Sequence, residues 1–482
     1  MTILGLPSGK TSSSPSPEDV RMVLPQTALL TLFDVLLSTA IHKFLNLQFP
    51  TTPAGAYIGG RKRTQPMEIA FAMQLCVDKS LDDRSSGCLA QGDIQKYFDS
   101  MPMVEICAWL CEREFPAKLF ALVVRHQILT SICVYLRNSR VTPKVRERGT
   151  GSLTGSRTAG ALARLPLEDM ISVKHNSWCK LGFHQRLNVG CWVDNLYVAS
   201  STPCRAVAIL CDAEDYLENV WHLRIKESSK MFMPMFNNGQ EFSQVGWAKV
   251  SEFPVLGHIV QDNGACNVCF RSAVSGAWRA FWANLSRAST GPLSLHLKLR
   301  HMTRVVNPII FFRASRWPFS SNKAKLLDRT QRHMIRIMLG IRMLPGEDMS
   351  TFARRAGHAV LNVQRNVGSW GFGWARNIIS WAAHVLRNNA DACWGARVLD
   401  FRSSSELDER RRDHGNRPHT RFSSGFTNRR WTDGVSHAIN FLERPPASFR
   451  KYIFAVSSSA DATRLEALKD DLVLVKTSLH MF

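Results

Sequence analysis

One stretch of the sequence limits the fold more than any other. From Leu187 to Ser200, apolar residues fall at 187, 189, 191 and 193 and again at 196 and 198, with Asp194-Asn195 between the two runs. Successive strand side chains point to opposite faces, so period two on either side of a two-residue turn signal predicts a β-hairpin. Asp194 then stands at its tip. Asp-Asn is also good turn chemistry, because both residues tolerate left-handed backbone, so taken alone the pair marks a turn as readily as a site.

A second segment, Leu89 to Ser100, reads as a short strand ending at Asp93, then a turn, then a helix from Pro102 to Phe115. Asp99 or Ser100 precedes the proline, where a side-chain oxygen caps free backbone N–H groups. Asp93 has no such structural duty. It follows Gly92, where a backbone can approach a ligand closely, and a carboxylate there suits a hard cation such as Mg²⁺. A strand-end aspartate and a hairpin-tip aspartate together are what two-metal phosphoryl transfer requires, with cations about 4 Å apart held by carboxylates on rigid strands.

The charge agrees with a polyanionic partner. Sixty-one Lys and Arg stand against 39 acidic residues, a formal net charge of +22 spread along all 482 residues. Such a surface attracts nucleic acid and releases counterions from its phosphates, with an anionic membrane surface as the second candidate. Gln26 and Asp34 interrupt the first apolar stretch, Val23 to Ile41, so neither a signal peptide nor a transmembrane segment is expected. The twelve scattered cysteines suggest reduced thiols and an intracellular protein, nuclear or cytoplasmic. Cys266 and Cys269 have the spacing of half a zinc site, but no second pair follows, and two small buried residues are expected instead.

The chain divides into a leader and N-terminal helix (1–54), an α+β region of alternating strands and helices (55–265), a helical region (266–345), a Trp-rich helical region (346–400) and a basic tail (401–482). The stretch from 401 to 450 holds ten Arg against six acidic residues with little apolar period, and reads as a flexible or weakly packed extension. From Lys323 to Arg342, Leu327, Met334, Met338 and Ile341 recur at helical spacing while Arg329, Arg332 and Arg336 line another face. That face can follow phosphates or simply be solvated. Trp370, Trp374 and Trp381 recur at helical spacing and read as core.

These segments resemble, in order, the reverse transcriptase of non-LTR (LINE-type) retrotransposons. Asp93 to Asp99, with Phe98 five residues after the first aspartate, is similar to the family's first catalytic motif. Trp192-Val193-Asp194-Asn195 resembles its aromatic-Ala-Asp-Asp hairpin, and Arg148 to Ser156 its Gly-rich segment. Gly59-Gly60-Arg61-Lys62-Arg63-Thr64-Gln65 resembles the fingers motif, Leu223 to Lys230 the segment with a nucleotide-proximal lysine, and Val255-Leu256-Gly257-His258 the primer-grip turn. Leu327 to Arg336 is similar to the helix downstream of the thumb, and the likeness spans about residues 55 to 390.

The resemblance implies a right-hand polymerase with fingers, palm and helical thumb, copying an RNA template from a DNA primer with deoxynucleoside triphosphates and Mg²⁺ or Mn²⁺. It implies Asp93 and Asp194 as metal ligands and Lys230 as a catalytic lysine near the triphosphate; a solvated surface lysine is the other reading. Phe98, Gly155, Ser156 and Asn195 would border the incoming nucleotide, with Phe98 a gate against a ribose 2′-hydroxyl or a core aromatic. Arg61, Lys62, Arg63, Arg329, Arg332 and Arg336 would meet nucleic acid. Three departures stand out: Asn195 replaces the family's second aspartate, Val193 its small residue, and the Gly-rich segment lacks its Gln. The likeness covers the palm and thumb region and takes in no endonuclease domain. A catalytically impaired nucleic-acid-binding remnant is therefore the alternative function.

Overall fold

The computed structural model describes residues 2–9, 20–23, 28–61, 64–129, 131–134, 145–146, 151–236, 242–289, 294–387, 394–395, 431, 434–435, 438 and 441. In chain order they form β1 (Thr2–Gly9), β2 (Val20–Val23), α1 (Ala28–Gln48), β3 (Tyr57–Ile58), α2 (Pro66–Asp83), β4 (Gly87–Asp93), α3 (Tyr97–Ser100), α4 (Met103–Glu112), α5 (Ala117–Val123), β5 (Ser131–Val134), β6 (Val145–Arg146), α6 (Arg157–Leu162) and α7 (Arg164–Cys179). There follow β7 (Val189–Trp192), β8 (Asn195–Ser200), α8 (Pro203–Trp221), β9 (Met231–Met235), β10 (Ala248–Lys249), β11 (Glu252–Val255), β12 (His258–Gln261), α9 (Asn267–Ser289), α10 (Leu295–His301), α11 (Asn307–Ala314), α12 (Ser321–Leu339), α13 (Met349–Val367) and α14 (Trp370–Arg387). The class is α+β, as the sequence implies. Two compact units emerge, Met1–Pro66 with Ser86–Val250 and Met67–Ser85 with Ser251–Phe482.

The first unit is built on a six-stranded sheet ordered β10-β9-β4-β8-β7-β3. β4 runs antiparallel to both β8 and β9, and the short edge strands β3 and β10 run parallel to β7 and β9. One face carries Cys88, Ala90, Val198 and Phe232, and residues of the other parity, Leu89, Tyr197, Ala199 and Met233, are buried as well. The central strands are therefore buried on both faces.

Helix α8 joins that core through Ala206, Ile209, Leu210, Ala213, Leu217 and Trp221, apolar positions on one helical face. The Thr202 hydroxyl caps it by accepting from Arg205 N–H (3.3 Å), Pro203 opens the first turn, and His222 closes it in the left-handed region. Each fully buried aliphatic side chain contributes about 1.5–3 kcal/mol, so this face outweighs any propensity term. Gly92 is explained here and not by a ligand: a Cβ at this position would sit 2.7 Å from Ile225 and 2.9 Å from Leu210. Packing, not substrate approach, therefore demands the glycine.

By length and composition alone, α1 is long and apolar enough to cross a membrane, a test that the core helix of a globular domain also passes. Gln26 lies outside the described residues, and Asp34 and Lys43 are the charged residues within the helix. In the structure Leu37, Ile41 and Leu45 lie in the core, whereas Leu29, Leu32 and Leu36 are exposed. Asp34 is buried and accepts hydrogen bonds from Ser156 Oγ (2.8 Å), Arg157 N–H (2.6 Å) and Thr158 N–H (3.0 Å), with His126 Nε2 at 3.1 Å. Burial alone would raise its pKa; the bonds from His126, Thr158 and Ser156 hold it well below the usual carboxylate range.

In the second unit β11 and β12 form a hairpin turning at Leu256-Gly257, both with positive φ (46° and 84°). Such backbone suits glycine at the second position and matches the strand twist. The six helices α9 to α14 follow, and Trp370 and Trp374 are wholly buried with their indole N–H groups bonded to Asn307 Oδ1 and Ala314 O, each at 2.8 Å. Trp381 is buried too, so this trio is core. Cys266 and Cys269 are buried free thiols near Arg316. Part of the expected loose tail is packed: Trp431, Val435 and Ala438 are buried, and the Trp431 indole donates to Ser315 O (2.9 Å). Their spacing of four and three is helical, a pattern masked in the sequence by the surrounding arginines.

Candidate catalytic site

The end of β4 and the β7–β8 hairpin meet. Asp93 pairs with Asn195 in the antiparallel register, and the next residue, Ile94, donates its N–H to Asp194 O at 2.7 Å. Directly opposed residues in such a ladder have Cα atoms about 4.5–5.5 Å apart. Asp93 and the Asp194-Asn195 pair are therefore immediate neighbours where the end of β4 meets the hairpin tip, and all three side chains are partly exposed.

The turn itself differs from the expected one. Trp192 pairs with Asn195, so the two-residue loop is Val193-Asp194 and Asn195 already belongs to β8. Val193 carries φ +55° and is 37% exposed, so it has left the apolar face its spacing suggested. A β-branched residue in the left-handed region is strained, at a cost of about 1–3 kcal/mol. The strain sits beside the carboxylate of interest. Asn195 Nδ2 donates to Asp194 Oδ1 at 2.7 Å and fixes that carboxylate's orientation.

On the opposite side of β4, the segment after α8 closes the site. Ile225 bridges to Ile94, Lys226 N–H donates to Asp93 O (2.8 Å), and Asp93 N–H donates to Ser229 Oγ (2.8 Å). Ser229 thus touches Asp93, a role that Ser228-Ser229 gave no sign of in the sequence. Lys230 does not face it as an exposed cation. Its side chain is 9% exposed and its ammonium binds Glu214 (2.8 Å) and Glu227 (2.6 Å); burial lowers its pKa, but these two partners raise it above the ordinary value overall. The exposed lysine of this segment is Lys226.

The Gly-rich segment reaches the site from a third direction. Gly151 N–H donates to Met101 O (3.1 Å) and Ser152 N–H to Phe98 O (2.7 Å). Gly151 has φ +82°, and a Cβ there would lie 2.4 Å from Asp99 O, so only glycine permits the approach. Phe98 is partly buried against the core, which accommodates both readings of it. Asp99 and Ser100 do not cap the following helix: both belong to α3, Ser100 Oγ donates to Gln95 O, and Pro102 holds the N-cap position of α4 without a side-chain bond.

Other expected contacts are engaged internally. Ser156 is buried, caps α6 and bonds Asp34, while Gly155 is exposed with φ +94°. Arg61 Nε is 3.0 Å from Glu168 Oε1, a buried carboxylate that also accepts from Arg164 Nε at 3.1 Å. Lys62, Arg63 and Arg148 to Thr150 lie outside the described residues. Burial and the neighbouring Arg164 push His42 down to about 4, and its Nδ1 is 2.6 Å from Arg164 Nη1. Arg329 and Arg336 are exposed on α12 and Arg332 partly so.

Among the described residues no three His, Cys, Asp or Glu side chains converge as a metal cluster. Two carboxylates and one amide are what the site offers. That set fits a hard cation that shares its coordination with substrate phosphates, since Mg²⁺ is commonly held by one or two carboxylates plus phosphate oxygens and water.

No protein-family model and no curated protein matches the chain. Among solved structures it is similar to apo telomerase from Candida tropicalis (9% identity, TM-score 0.44, covering 94% of this chain and 68% of that one). It is also similar to telomerase from Candida albicans in complex with a TWJ fragment of telomeric RNA (9% identity, TM-score 0.38, covering 82% and 64%). A C-terminally truncated apo telomerase from Candida tropicalis matches over 55% of this chain and 54% of its own length (8% identity, TM-score 0.38). The chain spans roughly half to two thirds of the length of these structures. Likeness at this level carries no argument about activity, which rests on the site itself.

Proposed function

We propose that this chain is an RNA-directed DNA polymerase of the non-LTR retrotransposon type, extending a DNA primer along an RNA template at the Asp93–Asp194 site. The observation that supports it most is the register of β4 against β8, with Ile94 N–H bonded to Asp194 O, which makes neighbours of two aspartates from distant segments. Asp93 and Asp194 would hold Mg²⁺ or Mn²⁺, with the Asn195 amide oxygen as a neutral third donor. The cation, when bound, supplies activation of the primer hydroxyl and charge neutralisation at the phosphates.

The chain's own groups then do the positioning. Asn195 orients the Asp194 carboxylate through its 2.7 Å bond. Ser229 and the Lys226 backbone hold the main chain of Asp93 on both its N–H and C=O, which fixes the strand end. Lys226, whose N–H bonds Asp93 O and whose side chain is exposed, would reach for the triphosphate, and Lys230 serves as a positioning residue that ties this segment to α8 through Glu214. Phe98, backed by the Gly151-Ser152 segment, borders the sugar. Primer extension on an RNA template tests the reading, with Asp93→Asn as the control; extension by the parent chain alone supports it, and equal extension by both rejects it.

A second reading is favoured by Asn195, which removes one negative charge, and by the strain at Val193. In it the chain binds nucleic acid but no longer catalyses. Salt-sensitive RNA binding with no extension in either Mg²⁺ or Mn²⁺ would select it.

A further inference from the structure

In the second unit the β11–β12 hairpin leads into helix α9 through Cys266-Asn267-Val268-Cys269, and both thiols are free. Phe270 N–H donates to Cys266 O at 2.9 Å, so Cys266 opens the helix and Cys269 lies in its first turn. Residues three apart on a helix are neighbours, with about 5–6 Å between Cβ atoms. A disulfide needs about 3.5–4.5 Å. A first turn can absorb that difference, because its N–H groups hold no intrahelical bonds.

The charge packed against this pair sets it apart from two small core residues. Arg316, two residues past α11, is wholly buried; Nη1 donates to Gln74 Oε1 (2.7 Å), Nη2 donates to Ile259 O (2.9 Å), and Nε has no partner. Among the described residues no carboxylate lies within ion-pair distance of this guanidinium. Gln74 donates its own amide to Asp78 Oδ1 (3.0 Å), so that carboxylate is one amide removed. A buried cation requires an anion beside it. Cys269 can be that anion: burial pushes its thiol up, but Arg316 and hydrogen bonds to the sulfur bring it below the ordinary thiol value overall. Cys266 keeps its proton, since burial pushes it up to about 11 and its S–H donates to Gln74 Oε1 (3.6 Å). The other charged neighbours of Cys266, Asp78 and Lys323, have opposite signs, and burial with Arg316 and Arg313 keeps His258 neutral.

We infer that Cys266 and Cys269 form a redox-active dithiol, a site of reversible oxidation by hydrogen peroxide, with Cys269 the nucleophile and Cys266 the resolving thiol. The Cys269 thiolate attacks one peroxide oxygen: an S–O bond forms, the O–O bond breaks, and the departing hydroxide takes a solvent proton to become water. The Cys266 sulfur then attacks the sulfenic sulfur, so that S–S forms, S–O breaks, and a second water leaves with the Cys266 proton. Two electrons pass from the sulfurs to the peroxide. Cys269 is wholly buried and Cys266 is 3% exposed, which limits the oxidant to a molecule of this size and excludes glutathione disulfide. Among the described residues no third metal-binding side chain joins the two thiols. Oxidation removes the anion and leaves Arg316 without a counter-charge, so the second unit loses stability until a dithiol reductant restores the thiolate.

The test treats the full, reduced chain with sub-millimolar hydrogen peroxide, alkylates the remaining thiols and reads the cysteine peptides by mass spectrometry. The peptide spanning Cys266 and Cys269 should lose two hydrogens on the order of tenfold faster than the exposed Cys111 and Cys204 are oxidised. Cys266→Ser should stop at a sulfenic acid on Cys269 that dimedone traps, and glutathione disulfide should leave the parent pair unchanged. Arg316→Met should slow the reaction at neutral pH by roughly tenfold, the effect of about one unit in the thiol pKa, with circular dichroism confirming its fold. The thiolate absorbance of the parent, less that of Cys269→Ala, provides a readout that leaves Arg316 in place and should already be present at neutral pH. The oxidised chain should melt below the reduced one and recover in dithiothreitol. Oxidation of Cys269 no faster than that of Cys111 and Cys204, no thiolate absorbance at neutral pH, or a melting temperature indifferent to oxidation would overturn the inference.

Discussion

Asn195→Asp restores the charge that this hairpin lacks, and its consequences follow from one contact. The Asn195 amide donates to Asp194 Oδ1 at 2.7 Å. An aspartate there removes a hydrogen bond contributing about 1 kcal/mol and sets two carboxylates face to face. At about 4 Å their repulsion is roughly 1 kcal/mol in water and 4 kcal/mol at an effective dielectric of 20. Both residues are partly exposed, which favours the lower half of that range. A total loss of about 2–3 kcal/mol in metal-free buffer corresponds to a melting temperature lower by roughly 5–10 °C for a unit of this size. Millimolar Mg²⁺ should recover most of the loss in the variant, because a cation bound only by the folded state stabilises it by mass action, and should move the parent less. Thermal melts in EDTA and in Mg²⁺ measure both effects. A variant as stable as the parent in EDTA, or one with no larger response to Mg²⁺, would refute the assignment of these groups to a common cation site.

The two lysines after α8 should separate cleanly. Lys226→Met is expected to leave the fold intact and lower kcat/KM for the deoxynucleotide by roughly tenfold or more, the worth of a charge-assisted bond; Lys230→Met should cost about 1–2 kcal/mol of stability by stranding Glu214, and the reverse pattern in steady-state kinetics and urea melts would exchange their roles. The ordinary His pKa is near 6.5, and folding depresses that of His42 to about 4 through burial and Arg164. The unfolded state takes up the proton first, so stability from this group is present above pH 6.5 and is lost as pH falls towards 4. After allowance for partial exposure the loss is about 1–2 kcal/mol, and His42→Gln should flatten the melting temperature across that window; an unchanged profile counts against it. Gly151→Ala should cost about 2–4 kcal/mol in urea unfolding, because its Cβ meets Asp99 O and its φ is left-handed, and a loss below 1 kcal/mol would contradict the close approach to the Phe98 turn.

Alternation and turn chemistry made the hairpin and the strand-end aspartate legible, because a period of two leaves little freedom about where a tip falls. The register was not legible to one residue: Val193 looked like a strand residue, and tertiary pairing of Trp192 with Asn195 placed it in the turn against its own backbone preference. Gly92 was visible as a close approach but not the partner, since Leu210 and Ile225 lie far along the chain. Charge misled in the same way at Arg61 and Lys230. Each is a cation in the sequence and a member of an ion pair in the fold, with acidic partners that spacing does not reveal. Helical periodicity identified Leu327, Met334 and Met338 as core positions of α12 and the buried tryptophans of α14, but α12 stops at Gly340, whose left-handed backbone leaves Ile341 outside the helix and only half-buried.

Mn²⁺ binding followed by electron paramagnetic resonance, with template, primer and deoxynucleotide present, measures most directly whether Asp93 and Asp194 serve one cation site. Asp93→Asn and Asp194→Asn should each weaken binding at least tenfold, and the double variant should be scarcely worse than either alone, because ligands of a shared ion are strongly coupled. Single variants that bind as the parent does, or losses that simply multiply in the double variant, would show that the two aspartates act apart.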